Sequence, residues 1–183
     1  MKFARTTART LSGSGTREFD MGFGRRRFLA LGVGSGVTAL AGCFGGRSEG
    51  LAVDTLSVAG SPGEPVLVHP PGRVAVLDFF ATWCAPCKPQ MAHLRRVRER
   101  FDSNVFLLSI TNERDRTAVR SFWRKYDGTW PVALDPELRA TEQYRVHRLP
   151  TLLVVGPDGS ERWRHVGLAS EERIATEIER ALG

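Results

Sequence analysis

Val74-Ala75-Val76-Leu77-Asp78-Phe79-Phe80-Ala81-Thr82-Trp83-Cys84-Ala85-Pro86-Cys87 sets two structural elements and the chemistry between them. Residues 74–80 are apolar apart from Asp78, as expected of a central strand buried on both faces. The residues after Cys87 read as a helix, so the first cysteine falls at a strand-to-helix turn. At a helix N-terminus the free backbone N–H groups and the helix dipole favour negative charge, which stabilises a thiolate. A thiolate attacks disulfides, and a second cysteine nearby can resolve the mixed disulfide that results. The same Cys-x-x-Cys spacing is also half of a zinc site. No second ligand pair follows at usable spacing, so the dithiol reading leads.

The chain has 183 residues, 42% of them hydrophobic, and a formal net charge of +6. Residues 1–43 hold Lys2, Arg5, Arg9, Arg17, Arg25, Arg26 and Arg27 against Glu18 and Asp20, so +5 of that charge lies there and only +1 in residues 44–183. The basic excess therefore belongs to the N-terminal segment, and no nucleic-acid binding is read from it. Of the three cysteines, Cys43 stands apart from Cys84 and Cys87. An odd count outside the cytoplasm leaves one thiol to explain.

The N-terminal segment accounts for it. Gly24-Arg25-Arg26-Arg27-Phe28-Leu29 resembles a twin-arginine export signal. The weakly apolar run Leu29 to Ala41 is too short for a membrane-spanning helix, which needs about 20 apolar residues. It ends in Leu40-Ala41-Gly42-Cys43, which resembles a prokaryotic lipobox whose cysteine is lipidated and becomes the new N-terminus. The competing reading is an uncleaved hydrophobic anchor with a chance cysteine. Residues 1–20 read as either an over-called start, with Met21 as the true one, or a disordered leader. Residues 44–50 read as a short polar tether. The expected location is the extracytoplasmic face of the cell membrane, held by lipid on Cys43.

Residues 51–183 read as one α/β domain. Leu51 to Val58 reads as a strand, Ser61 to Pro65 as a turn, and Val66-Leu67-Val68 as a short strand. Ala85 to Phe101 reads as a helix whose core face is Met91, Leu94, Val97 and Phe101. Arg95, Arg96, Arg98 and Arg100 form its solvated side. Asn104 to Ile110 reads as a buried strand, Arg116 to Tyr126 as a helix, Trp130 to Leu134 as a strand and Pro136 to Tyr144 as a short helix. Leu149 to Val155 begins a strand that turns at Pro157-Asp158-Gly159 and returns as Glu161 to Val166. Glu171 to Leu182 closes the chain as an amphipathic helix, with Ile174, Ile178 and Leu182 inward and Ser170 as N-cap. The succession predicts a central mixed sheet flanked by helices.

Asp78-Phe79-Phe80-Ala81-Thr82-Trp83-Cys84-Ala85-Pro86-Cys87-Lys88, with Leu149-Pro150-Thr151 downstream, resembles a thioredoxin-fold domain. The strand pair before residue 70 and the added helix and strand over 113–134 resemble the membrane-anchored TlpA-like and ResA-like thiol-disulfide oxidoreductases. The resemblance covers about 51–183 and implies a thioredoxin fold with an N-terminal β extension and a βα-type insertion. It implies that Cys84 is the exposed nucleophile, Cys87 the resolving cysteine of a redox-active disulfide, and Trp83 a residue packed beside the pair. It makes Pro150 the cis-proline where an extended substrate segment docks. Asp78 matches the buried acid of thioredoxins that helps deprotonate Cys87; the alternative is an aspartate at a wet strand end. The implied partners are protein thiols and disulfides, with a membrane thiol carrier as electron donor. The implied activity leans toward reduction, and no cofactor or metal is called for.

The sequence also departs from that pattern. Gln90 stands where many TlpA-like proteins carry glutamate, and Ala92 where a helix proline is common, with Pro89 instead. The lysine that partners the buried acid in thioredoxins has no counterpart in Phe106 to Ile110. Arg148 replaces a common glycine, so His147 and Arg148 are either plain surface residues, contacts for an acidic partner, or groups that tune Cys84. A copper-handling oxidase-assembly module is the alternative function. Resembling proteins of that kind use Cys-x-x-x-Cys, and His69, His93, His147 and His165 show no ligand spacing. Peroxide reduction lacks its Pro-x-x-x-Thr-x-x-Cys arrangement, because Thr82 and Cys84 are too close.

Overall fold

The computed structural model describes residues 50–183. The twin-arginine motif, Cys43, residues 1–20 and all of the tether but Gly50 lie outside the described residues. Among the described residues no helix is long and apolar enough to cross a membrane.

The order of elements is β1 (Ala52–Thr55), β2 (Ser57–Val58), β3 (Ser61–Pro62), β4 (Pro65–Leu67), β5 (Val74–Phe79), α1 (Cys87–Phe101), β6 (Val105–Thr111), α2 (Arg116–Lys125), β7 (Val132–Leu134), α3 (Arg139–Gln143), β8 (Thr151–Val155), β9 (Glu161–Val166) and α4 (Glu171–Leu182). Seven strands form one mixed sheet in the order β4-β1-β7-β6-β5-β8-β9. Every residue of β5 is buried, and it runs parallel to β6 and antiparallel to β8. It is the central strand that its apolar run predicts.

Alternation along β5 sorts the core into two layers. Val74, Val76 and the following Phe80 meet Met91, Leu94 and Val97 of α1, Val119, Phe122 and Trp123 of α2, and Ile174 and Ile178 of α4. Ala75, Leu77 and Phe79 face the other way, toward Ala140, Val146 and Leu153. Asp78 lies between Val76 and Phe80 in the pleat, so a carboxylate projects into the layer that also holds Cys84 and Cys87. The arginine side of α1 lies at the surface, with Arg95 on Asp127, Arg96 on Glu171 and Arg100 on Glu179. Exposed pairs of this kind contribute little each.

The structure corrects several expected boundaries. The first strand breaks at Leu56, whose side chain enters the core at 1% exposure while its N–H donates to the Val132 carbonyl. Ser57–Val58 then turns away and pairs with Ser61–Pro62, so part of the expected turn is a strand. The helix expected over 136–144 is shorter because the buried Asp135 carboxylate takes the N–H groups of Ala140 and Thr141 at 3.1 and 2.8 Å and so caps it later. In α4, Leu182 is 49% exposed and Ala181 meets the core instead. Position 182 lies on the same face, between Ile178 and the buried Ala175 in helical angle, but it is the last residue of α4. The Ser170 hydroxyl caps that helix by accepting from the Arg173 N–H.

Candidate active site

Cys84 and Cys87 form a disulfide with Cα atoms 5.3 Å apart. The Cys84 N–H donates to the Ala81 carbonyl at 3.1 Å, closing a tight turn between β5 and α1. Cys87 is the first residue of α1, which has no acidic side chain in its first turn and no side-chain cap. The field of this 15-residue helix therefore reaches the sulfur pair with no acid in its own first turn to offset it.

One expectation about the turn is corrected. Cys84 is 4% exposed rather than an exposed group, because the turn directs it inward onto Phe80 and Ala81. Trp83 is 70% exposed. It occupies the outer position of the turn, and solvent meets Trp83, Ala85 and Pro86 before it meets sulfur.

Strand pairing brings the second half of the site to the same place. Phe79 lies opposite Thr151, so Pro150 sits at the level of Phe80, where β5 leaves the sheet for the cysteine turn. The Leu149–Pro150 peptide bond is cis. The Thr151 hydroxyl donates to the Arg148 carbonyl at 2.7 Å, which fixes the loop before it. Between the two halves lies a cleft of about 290 Å³ with an apolar floor that includes Phe80, Ile110 and Val146 and a rim that includes Trp83, His147 and Arg148.

Asp78 is 1% exposed, which excludes the wet strand end. Burial pushes its carboxyl up to about 7, against a lowering hydrogen bond from Ser109. That bond runs from Ser109 Oγ to Asp78 Oδ2 at 2.7 Å, and Trp130 Nε1 donates to Ser109 Oγ at 2.9 Å. Asp78 Oδ1 is buried without a partner among the described residues.

A family model described as Redoxin matches residues 50–182. The chain belongs to the Redoxin family. Among similar proteins, the thiol-disulfide oxidoreductase ResA of Bacillus subtilis (strain 168) is 27% identical over 146 residues, covering 74% of this chain and 82% of that protein. A ResA of Bacillus cereus is 27% identical over 104 residues, covering 56% of this chain and 60% of the relative, so the chain spans less than two thirds of that relative's length. The crystal structure of StoA from Bacillus subtilis aligns with a TM-score of 0.61 at 20% identity, over 69% of this chain and 94% of that one. The fold is a thioredoxin fold, as the motifs around Cys84 and Pro150 imply.

Four residues of this Redoxin domain support the site, and of these only Gln90 stands out in the sequence. Ser109 and Trp130 reach Asp78 through the register Asp78↔Ser109. The Glu113 carboxylate accepts both the N–H and the hydroxyl of Thr82. Gln90 is buried and pairs in both directions with the backbone of Ala169, so the departure from glutamate has a structural reason. An amide both donates and accepts, and a carboxylate cannot.

Proposed function

We propose that this protein is a thiol-disulfide oxidoreductase that exchanges disulfides with protein partners on the outer side of the cell membrane, working chiefly as a reductant. One observation carries the reading: a Cys84–Cys87 disulfide at the N-terminus of α1, beside the cis Leu149–Pro150 segment and an open cleft. Family membership and the similarity to ResA proteins support it.

The reduced pair starts the reaction. The Cys84 thiolate attacks one sulfur of a partner disulfide, and the other partner sulfur leaves as a thiolate. Cys87 then attacks Cys84, the mixed disulfide breaks, and the partner departs with two electrons. Asp78 takes the Cys87 proton. Pro150 lies at the start of β8, where an extended partner segment would run beside the cleft, with Trp83 covering its outer edge. The reverse direction uses the same atoms. A thiol carrier in the membrane returns two electrons to the pair.

Residues 1–43 serve as a twin-arginine signal ending in the lipidated Cys43, and 44–50 as a tether for the domain over 51–183. A tether of this length keeps the pair close to membrane partners.

The test is Cys87→Ser in membranes of the native host. A Cys84-linked mixed disulfide should accumulate and dissolve on adding dithiothreitol. Retention of disulfide exchange by Cys84→Ser defeats the reading. Mass spectrometry of the mature N-terminus tests the anchor, since an unlipidated chain continuing through Cys43 rejects it.

A further inference from the structure

Buried acids near a dithiol need something to hold their charge when they ionise. Here that partner is not a cation. Asp78 accepts from Ser109 of β6, which accepts in turn from Trp130 in the segment before β7, and it lies opposite Leu152 of β8; its place in the pleat between Val76 and Phe80 puts it on the layer that holds the cysteine pair. The one buried carboxylate of α4, Glu177, is bound to Arg173 and Arg180. No charged group contributes to the displacement of the Asp78 carboxyl, which comes from burial and from Ser109 alone.

The direction of the hydrogen bonds is fixed by chemistry. An indole N–H can only donate, so Ser109 Oγ is the acceptor for Trp130. A serine hydroxyl carries one proton, and among the described residues Asp78 Oδ2 is the one acceptor it has, so that proton points to Oδ2. Oδ2 is therefore held as an acceptor. A proton on the carboxyl must then sit on Oδ1, the buried oxygen with no partner among the described residues.

We infer that Trp130 and Ser109 form a one-way donor chain, in place of a counter-cation, that assigns the mobile proton of the site to Asp78 Oδ1. The inference rests on the dithiol reading of Cys84 and Cys87. In the resolving step the Cys87 S–H bond breaks and its proton passes to Oδ1. The sulfur electron pair forms the Cys84–Cys87 bond as the bond from Cys84 to the partner breaks. The dithiol loses two electrons, and the partner disulfide gains them. When a donor thiol later opens the disulfide at Cys84, the released Cys87 thiolate takes the proton back from Oδ1. Ser109 and Trp130 are positioning residues throughout.

Trp130 is itself held in place. Its ring meets Trp123 edge-on with centroids 5.0 Å apart. The turn at Gly60 packs on Thr129 and on the Trp130 backbone so closely that an added Cβ would lie 2.0 Å from the Thr129 carbonyl carbon. The N-terminal extension thus packs on the segment that carries Trp130, the first donor of the chain.

The experiment uses the oxidised domain for infrared spectroscopy of the protonated Asp78 carbonyl against pH, with Asp78→Asn assigning the band. The same proteins are assayed for reduction of hydroxyethyl disulfide, a small uncharged probe, across pH. Ser109→Ala should move the Asp78 midpoint upward by about one pH unit and carry the rising limb of the rate profile with it, lowering turnover about tenfold below that limb. Ser109→Thr should restore both, and Trp130→Phe should move both the same way by less. An unchanged midpoint in Ser109→Ala overturns the inference. So does a fall in rate that is equal at every pH. Should Ser109→Ala fail to fold, Trp130→Phe decides by the same two readings. A wild-type protein without disulfide turnover defeats the proposed function instead, and the infrared midpoints still decide the donor chain.

Discussion

The Glu113 carboxylate accepts the Thr82 backbone N–H and the Thr82 hydroxyl, each at 2.7 Å, across 31 residues of chain. Thr82 lies in the turn that aims Trp83 outward and Cys84 inward. Thr111, at the end of β6, donates to the same carboxylate at 3.3 Å. The cysteine turn is thereby clamped to the C-terminal end of a rigid strand. Glu113→Ala leaves a half-buried N–H and hydroxyl unpaired, and it should cost about 1–3 kcal/mol of stability. Turnover should fall further than it does in Thr82→Val, which keeps the N–H bond. Chemical denaturation and amide exchange at residues 81–84 measure this, and unchanged exchange in Glu113→Ala would rule the clamp out.

Gln90 ties α1 to the segment before α4. Its Oε1 accepts from the Ala169 N–H at 2.8 Å, and its Nε2 donates to the Ala169 carbonyl at 3.2 Å. Gln90→Glu replaces the donor with a second acceptor at a fully buried position. The introduced carboxyl must stay protonated to donate, so its folded pKa rises above its unfolded one. The variant's stability should then be nearest to wild type at low pH and fall as pH rises through that folded value. The expected loss at pH 8 is about 3 kcal/mol, by analogy with other buried groups left unpaired. Urea midpoints at pH 5 and pH 8 measure it, and equal losses at the two values contradict the argument.

Much of this is legible in the sequence because it is local. The apolar run of Val74 to Phe80 and the helical spacing of Met91, Leu94 and Val97 each specify one element from adjacent residues. Cys84, Cys87 and Pro150 are legible as a motif. Ser109 and Trp130 are not, because their role exists only once β6 pairs with β5 in one register. Glu113 is hidden for the same reason. The motif leads one to expect an exposed Cys84 where the structure buries it, since the motif gives the order of residues and the turn geometry gives their direction. The β2–β3 hairpin leaves little trace in the sequence because its pairing is only two residues deep and contains Pro62.

Gly60 and Gly72 separate backbone strain from collision. Both have positive φ, +72° and +74°. At Gly72 an added Cβ meets nothing within 4 Å, so Gly72→Ala should cost only the left-handed penalty, about 1–2 kcal/mol. At Gly60 the same Cβ would lie 2.0 Å from the backbone of Thr129 and 2.6 Å from the Trp130 nitrogen. Gly60→Ala must displace backbone and should cost at least about twice as much, by overpacking on top of strain. It should also disturb the near-ultraviolet circular dichroism of the tryptophans, which Gly72→Ala leaves alone. Equal unfolding free energies for the two variants would show that the hairpin gives way instead.

Asp78 makes stability depend on pH with a definite sign. Its carboxyl has an ordinary value of 3.8 and is pushed up to about 7 in the folded protein. Between those values the folded chain binds a proton that the unfolded chain has released. Stability from this group is therefore fully present below the ordinary value and is lost as pH rises through about 7. The loss is at most about 4 kcal/mol, since each pH unit is worth about 1.4 kcal/mol. Asp78→Asn removes the titration and keeps the shape. With the disulfide intact in both proteins, the unfolding free energy of wild type minus that of the variant should fall steadily from pH 4 to pH 8. A difference that stays flat or rises across that range would mean that Asp78 is ionised in the folded protein throughout, with a partner other than Ser109 holding its charge.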